Sequence, residues 1–257
     1  MSVAYDYADA YQPDRSLRGK LRRRLVRMVH RRPLPVAPER PMVSFAFDDA
    51  PVSAAREGAR ILEQRGLRGT YFVSAGLAGT QAPMGLCAGA DDYRRLAANG
   101  HEIGCHTFSH IDCGVADGAS VRSDVARNLD AFKTWGLPTP TTFAYPYGDV
   151  GPAAKAALNG RYALLRALHP GVVEEGADMN QAPAVGIEGP DGESEAMRWL
   201  AAARERRAWV ILYTHDVACD PSPWGCTPDT LERLADWAVA NGFESYTVAE
   251  GARTVGL

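Results

Sequence analysis

Strand-like and helical segments alternate along most of this chain, and this alternation limits its possible folds more than any other feature. The predicted strands are Val43–Phe47, Thr70–Val73, Glu102–Cys105, Thr142–Tyr145, Tyr162–Leu165, Ala184–Ile187, Trp209–Tyr213 and Glu244–Thr247. The predicted helices between them include Ser53–Arg65, Asp91–Asn99, Ser120–Trp135, Pro152–Leu158, Ser194–Arg206 and Pro228–Asn241. Repeated alternation of this kind predicts an α/β fold, with a parallel sheet and helices outside it. Seven or eight units favour a distorted (β/α)7–8 barrel over an open sheet, although periodicity alone does not decide whether the sheet closes.

The chain divides into three regions. Residues 1–14 have the composition of a polar tail, residues 15–41 of a basic amphipathic helix with a proline-rich connector, and residues 42–257 of the main domain. The whole chain has a net charge of −3, yet residues 15–32 contain nine Lys and Arg residues and no acid. We therefore interpret the basic segment as a functional element separate from the acidic remainder of the chain.

The basic segment is also amphipathic. On a helical wheel its apolar residues fall in one arc of about 120°, and most of the cations lie outside that arc. The arc consists of Leu17, Leu21, Leu25, Met28 and Val29. This pattern is typical of a helix on an anionic membrane surface. Packing on its own domain, a homodimer contact and nucleic-acid binding are the alternatives, and we expect no nucleic-acid partner.

The sequence also bears on the compartment. The longest apolar runs are far too short to cross a bilayer. The N-terminus lacks the basic start and apolar core of a secretion signal, and five scattered cysteines form no disulfide framework. We expect a cytoplasmic protein, peripheral at the inner face of the cell membrane.

Three short segments at predicted strand ends contain the residues best suited to catalysis. They are Asp48-Asp49, His106–His110 and His215, and each alone is a weak signal. In barrel-type enzymes the chemistry lies in strand-end loops. Two histidines four residues apart and one carboxylate can hold a divalent metal, which leaves the other Asp and His to move protons. A hydrolase is the first hypothesis.

Together these segments resemble the polysaccharide deacetylases of the NodB-homology type, carbohydrate esterase family 4. The first motif of the family is matched by Phe47-Asp48-Asp49 and its His-[Ser/Thr]-x-x-His motif by His106–His110. Its Arg-x-Pro-Tyr motif is matched in part by Ala144–Tyr147, and its Leu-x-His motif by Leu212–His215 with one extra residue. The resemblance covers roughly residues 42–250, keeps the motif order, and implies a distorted barrel of the NodB type.

The resemblance implies a ligand set and a mechanism. Asp49, His106 and His110 would hold one divalent ion, with Zn²⁺ as the first expectation and Co²⁺, Ni²⁺ or Mn²⁺ as alternatives. The ion would polarise the acetyl carbonyl, Asp48 would act as general base and His215 would protonate the leaving amine.

Further residues would shape the substrate site. By the same resemblance, the backbone N–H of Tyr147 would stabilise the oxyanion. Tyr145 would line the acetyl site, and Trp224 would either stack on a sugar ring or anchor its loop.

One position departs from the family pattern. Where the third motif has an arginine that neutralises the base, this chain has Ala144. A carboxylate next to Asp49 needs a nearby cation to stay ionised. Arg166, at the end of a predicted strand, is the candidate, and a surface arginine is the alternative. Asp178 is a candidate for orienting His215, and Asp216 for capping a loop.

The leading hypothesis is a metal-dependent N-deacetylase of N-acetylhexosamine units in a bacterial surface polysaccharide or its lipid-linked precursor. A deformylase or other small-amide hydrolase of the same superfamily is the second hypothesis. A non-catalytic glycan- or membrane-binding relative is the third, and it rests on the missing third-motif arginine.

Overall fold

A computed structural model describes Asp14 and residues 16–257 of the chain. Apart from Asp14, the predicted tail lies outside the described residues. All five cysteines are free thiols. Within the described residues, no helix combines the length and hydrophobicity that crossing a membrane requires.

All eight predicted strands are present, and they form one parallel sheet. The strands are β1 (Met42–Asp48), β2 (Gly69–Val73), β5 (Glu102–Cys105), β6 (Thr142–Ala144), β7 (Leu164–Arg166), β8 (Val185–Gly186), β9 (Trp209–Thr214) and β10 (Glu244–Ser245). Their order is β7-β6-β5-β2-β1-β9-β8, and β10 pairs with the start of β1. A small hairpin of β3 (Gln81–Ala82) and β4 (Gly85–Leu86) was not predicted.

The sheet curls until one segment of chain joins its two edges. Ala182 pairs with Arg166 of β7, and three residues later Val185 pairs with Leu212 of β9. Residues 179–186 therefore contact β7 at one edge of the sheet and continue into β8, which pairs with β9 at the other edge. This arrangement confirms the predicted distorted barrel.

Helices cover the outside of the sheet. They are α2 (Ala59–Glu63, after a π-helical turn at Ala54–Gly58), α3 (Ala90–Ala98), α4 (Gly118–Thr134), α5 (Pro152–Leu158), α6 (Gly192–Arg206), α7 (Pro228–Ala240) and α8 (Val248–Thr254). All six predicted helices of the domain are present, and each begins within two residues of its predicted start. The helix predicted at Ser53–Arg65 begins with the π-helical turn Ala54–Gly58 and continues as α2. Helix α8, which begins with a capping box at Thr247 and Glu250, was not predicted.

The alternation of side chains along each strand places the site inside the curl. In β1, Phe45 and Phe47 pack outward against the helices, whereas Met42 and Ala46 belong to the inner core. Successive strand residues point to opposite faces, so Asp48 lies on the inner face with Ala46. The same period puts Arg166 on the inner face of β7.

The N-terminal helix α1 spans Leu17–Val26 and ends before Met28 and Val29, the last two residues of the predicted apolar arc. The hydroxyl of Ser16 caps it by accepting a hydrogen bond from the Gly19 N–H. At its other end the buried ammonium of Lys155 donates to the carbonyl of Val26, 2.8 Å away. Val26, which the wheel places outside the apolar arc, is the buried apolar residue of this helix.

Candidate metal centre and active site

Asp49, His106 and His110 form a compact group at the carboxyl ends of β1 and β5. One potential ligand atom from each residue lies within 4.8 Å of the others. The Nε2 atoms of His106 and His110 are 3.9 Å and 3.6 Å from Oδ1 of Asp49. All three side chains are buried.

The chemistry of this group fits a divalent cation. Within the part of the chain that the structure describes, Oδ1 of Asp49 is buried and accepts no hydrogen bond, an arrangement that is costly without a partner. Burial lowers the pKa of His106 to about 4 and that of His110 to about 3, so both rings are neutral near neutral pH. Neutral imidazole nitrogens and a carboxylate oxygen are the ligands that Zn²⁺ and similar ions prefer.

A backbone contact fixes the tautomer of His106. Its Nδ1 lies 2.8 Å from the carbonyl oxygen of Ala144. A carbonyl can only accept, so Nδ1 carries the proton and Nε2 presents its lone pair towards Asp49.

Backbone strain is concentrated at this site. Five of the seven described non-glycine residues with positive φ lie there: Asp49 (54°), Ala50 (41°), Thr107 (63°), His110 (54°) and Tyr147 (58°). Such conformations cost on the order of 1–3 kcal/mol each and persist where the surroundings enforce them.

A carboxylate from α4 enforces the conformation of the histidine loop. Asp124, buried on the inner side of α4, accepts hydrogen bonds from the backbone N–H groups of Phe108 and Ser109, both at 2.9 Å. The Ser109 hydroxyl donates to the same carboxylate at 2.8 Å. The sequence interpretation missed Asp124. The available signal was a polar residue between Val121 and Val125 on the buried face of the helix.

The structure brings Arg166 and Asp48 together. Nη2 of Arg166 lies 2.6 Å from both carboxylate oxygens of Asp48, and both side chains are buried. Arg166 is paired in register with Ala144 across β6 and β7. The guanidinium therefore enters the site from the strand next to the one that would supply it in the family motif, and the surface-arginine alternative is wrong.

Arg166 decides the charge of Asp48. Burial opposes ionisation of this carboxyl group, but the charges of Arg166, His106 and His215 and the hydrogen bond from Arg166 outweigh burial and lower the pKa of Asp48. Asp49 has no such contact, and burial raises its pKa. Two adjacent carboxyl groups thus acquire opposite pKa shifts.

His215 is oriented by Glu188, which the sequence interpretation missed. Nδ1 of His215 lies 3.0 Å from Oε1 of Glu188. Asp178 pairs with Lys155 instead, so the prediction that it orients His215 was wrong. Asp216 caps its own loop, as expected, by accepting from the Ser222 backbone N–H and hydroxyl.

The contact with Glu188 makes His215 a cation. Burial alone would lower the pKa of His215, but the hydrogen bond to Glu188 and the negative charges of Asp48, Glu188 and Asp49 raise it to about 9. The ring is therefore protonated near neutral pH and can donate a proton from the nitrogen opposite Glu188.

The predicted substrate residues have different surroundings. The ring of Tyr147 packs edge-on against His110, with centroids 4.4 Å apart. Tyr145 is fully buried in the core and its hydroxyl donates to the Asn180 carbonyl, so the prediction that it lines the acetyl site was wrong. The half-buried Trp224 anchors the loop through its carbonyl, which accepts from the His215 backbone N–H at 3.0 Å.

We predict that the metal-free chain binds one Zn²⁺ and that His110→Ala weakens this binding at least about a hundredfold, because one of three ligands is lost. Isothermal titration of Zn²⁺ measures the affinity. His30→Gln, which changes an exposed histidine outside the group, is the matched control and should bind as the parent chain does. Equal affinity in His110→Ala would show that the ion binds elsewhere.

Comparisons with known proteins agree with the motifs. A family model described as "Polysaccharide deacetylase" matches residues 36–161. The chitin deacetylase of Pestalotiopsis sp is 27% identical over 117 residues, which are 46% of this chain and 38% of that protein. The chitin deacetylase of Colletotrichum lindemuthianum is 29% identical over 118 residues, covering 43% of this chain and 46% of that protein. The chain thus matches less than half the length of either relative.

A solved structure supports the fold. The family 4 acetyl xylan esterase of Clostridium thermocellum, in complex with a cobalt ion, superposes with a TM-score of 0.59 at 20% identity. The match covers 81% of this chain and 89% of the esterase. Motif order, family model and curled sheet agree, and residues 36–161 match the polysaccharide deacetylase family.

Proposed function

We propose that this chain is a metal-dependent hydrolase that removes the acetyl group from N-acetylhexosamine units, N-acetylglucosamine first among them. The substrate would be a bacterial surface polysaccharide or its lipid-linked precursor. The observation that carries the proposal is that an ionised Asp48 and a protonated His215 occur together beside the Asp49, His106 and His110 group. The names of the chitin deacetylases that the chain resembles point to the same bond.

The metal-binding group and Asp48 would have different roles in the reaction. A divalent ion held by Asp49, His106 and His110, with Zn²⁺ expected and Co²⁺, Ni²⁺ or Mn²⁺ as alternatives, would polarise the amide carbonyl and lower the pKa of a bound water. Asp48 accepts the proton of the attacking water, and its contact with Arg166 keeps it ionised for this task.

The leaving group needs a proton. An amine leaves poorly as an anion, so an acid must protonate the nitrogen as the C–N bond breaks. His215 is charged at neutral pH, is held by Glu188 through Nδ1, and donates from Nε2. The backbone N–H of Tyr147 would support the carbonyl oxygen as negative charge develops there. The ring of Trp224, on the loop that holds His215, would contact the sugar.

We expect acetate release from soluble N-acetylglucosamine oligomers by the chain stripped of metal and resupplied with Zn²⁺ or Co²⁺. Asp48→Asn keeps the shape but removes the base, and should lower kcat by roughly 10²–10⁴-fold. Asp91→Asn, at an exposed carboxylate outside the site, should leave kcat unchanged. Formate release from N-formyl substrates without acetate release would favour the small-amide hydrolase. No release of either acid, with glycan binding retained, would favour the non-catalytic binder.

We predict that Arg166→Ala lowers kcat by roughly 10²–10⁴-fold, because Asp48 loses the cation that keeps it ionised. The double variant Ala144→Arg/Arg166→Ala should recover at least about tenfold of this loss, since the two positions are register partners on one face. Arg161→Ala, at an exposed arginine, is the control. A double variant no better than Arg166→Ala would refute a shared role for the two positions.

The pH dependence of kcat should reflect the protonation of His215. An acid works only while protonated, so kcat should fall as pH rises through the pKa of His215, about 9. Glu188→Gln removes the charge that raises this pKa, so the alkaline limb should move to lower pH while the acidic limb stays in place. Glu193→Gln, at a carboxylate that pairs with Arg233 instead, is the control. An alkaline limb unmoved by Glu188→Gln would assign it to another group.

A further inference from the structure

Helix α1 turns its apolar face to solvent. Leu17 is 84% exposed, Leu21 57% and Leu25 46%, and Met28 just beyond the helix is 71% exposed. These residues follow one another at helical spacing and form a single strip, which we call the leucine strip. Isolated exposed apolar residues are ordinary, but a contiguous strip on a helix marks a contact surface.

The opposite face of α1 is fixed to the domain. The Arg22 guanidinium donates to the Gly114 carbonyl and pairs with the Asp149 carboxylate. Val26 packs in the core under α5, where Lys155 holds its carbonyl. Because these contacts use the side away from the leucines, the domain presents the leucine strip and does not cover it.

Positive charge flanks the leucine strip. Arg18, Lys20 and Arg24 are exposed, and residues 15–32 contain no acid. We propose that the leucine strip and these three cations bind the surface of an anionic lipid bilayer, with α1 lying in the plane of the interface. The apolar side chains would enter the acyl boundary and the cations would contact the headgroups.

The other possible partners of this face fit the charges less well. A second copy of the chain would bring the same basic flanks against Arg18, Lys20 and Arg24, and like charges oppose such a contact. A nucleic acid would use the cations but leave the leucines in water. A bilayer with anionic headgroups satisfies both kinds of side chain.

The docking contacts of α1 connect this surface to the catalytic loops. Gly114 lies four residues after His110, and Asp149 lies two residues after Tyr147. Arg22 therefore joins the helix to both loops at the carboxyl edge of the sheet. If the proposed function holds, a bilayer on the leucine strip would lie beside the site that accepts a membrane-linked glycan, and this last step rests on that function.

Vesicle flotation tests the surface without using activity. The probe is vesicles of phosphatidylcholine with about one third phosphatidylglycerol, compared with phosphatidylcholine alone. The full chain should float with the anionic vesicles and be released by salt. Leu17→Gln/Leu21→Gln/Leu25→Gln should weaken binding at least about tenfold. Arg18→Gln/Lys20→Gln/Arg24→Gln should weaken it and remove its dependence on salt.

Controls separate the surface from the fold and from catalysis. Leu86→Gln/Val239→Gln changes two apolar residues of similar exposure, 48% and 51%, elsewhere on the protein, and should bind vesicles like the parent. Acetate release from soluble oligomers should be equal in the parent and the triple leucine variant. The proposal is overturned if the leucine variant binds vesicles like the parent. Light scattering that shows a dimer dispersed by the leucine changes, or binding to duplex DNA without binding to vesicles, would also overturn it.

Discussion

The buried contact between Arg166 and Asp48 is the interaction on which the site depends. A carboxylate at the end of a fully buried strand is costly unless a cation is buried with it, and here one guanidinium nitrogen lies 2.6 Å from both oxygens. The guanidinium also lies 5.1 Å and 5.2 Å from the ring centroids of Phe72 and Tyr213, which offsets part of its own desolvation. This contact crosses the inside of the curled sheet, so the ionised state of Asp48 depends on the curl that brings β7 opposite β1.

That one contact lets neighbouring groups of the same chemical type take different states. Asp48 and Asp49 are adjacent, yet the pKa of the first is lowered and that of the second is raised. The positive φ of Asp49 ends β1 and turns its carboxylate towards the two histidines. The three imidazoles also differ in protonation state. Burial keeps His106 and His110 neutral, whereas Glu188 makes His215 a cation. Under the proposed function, these different environments would assign cation binding to one set of side chains and proton transfer to the other.

Much of the fold could be predicted because strand–helix alternation is a local property of the chain. The boundaries were less certain, as at β7, which begins at Leu164 because the turn after Gly160 extends further than the apolar pattern indicated. Glu188 could have been found, since it directly follows a predicted strand, as Arg166 does. Asp178 was chosen wrongly because which remote carboxylate meets His215 depends on how residues 179–186 cross the barrel, and no local pattern encodes that path.

Helix α1 shows the same limit at the surface. Its sequence separates an apolar arc from cations, but a wheel does not reveal which side meets the domain. The contacts that decide this join Arg22 to residues 92 and 127 positions away, and Val26 to Lys155, 129 positions away. They fix the helix by an ion pair, a capped carbonyl and one valine, and leave three leucines in water. Packing those leucines on the domain would have been favourable, so their exposure is the observation from which we propose the contact with an anionic bilayer.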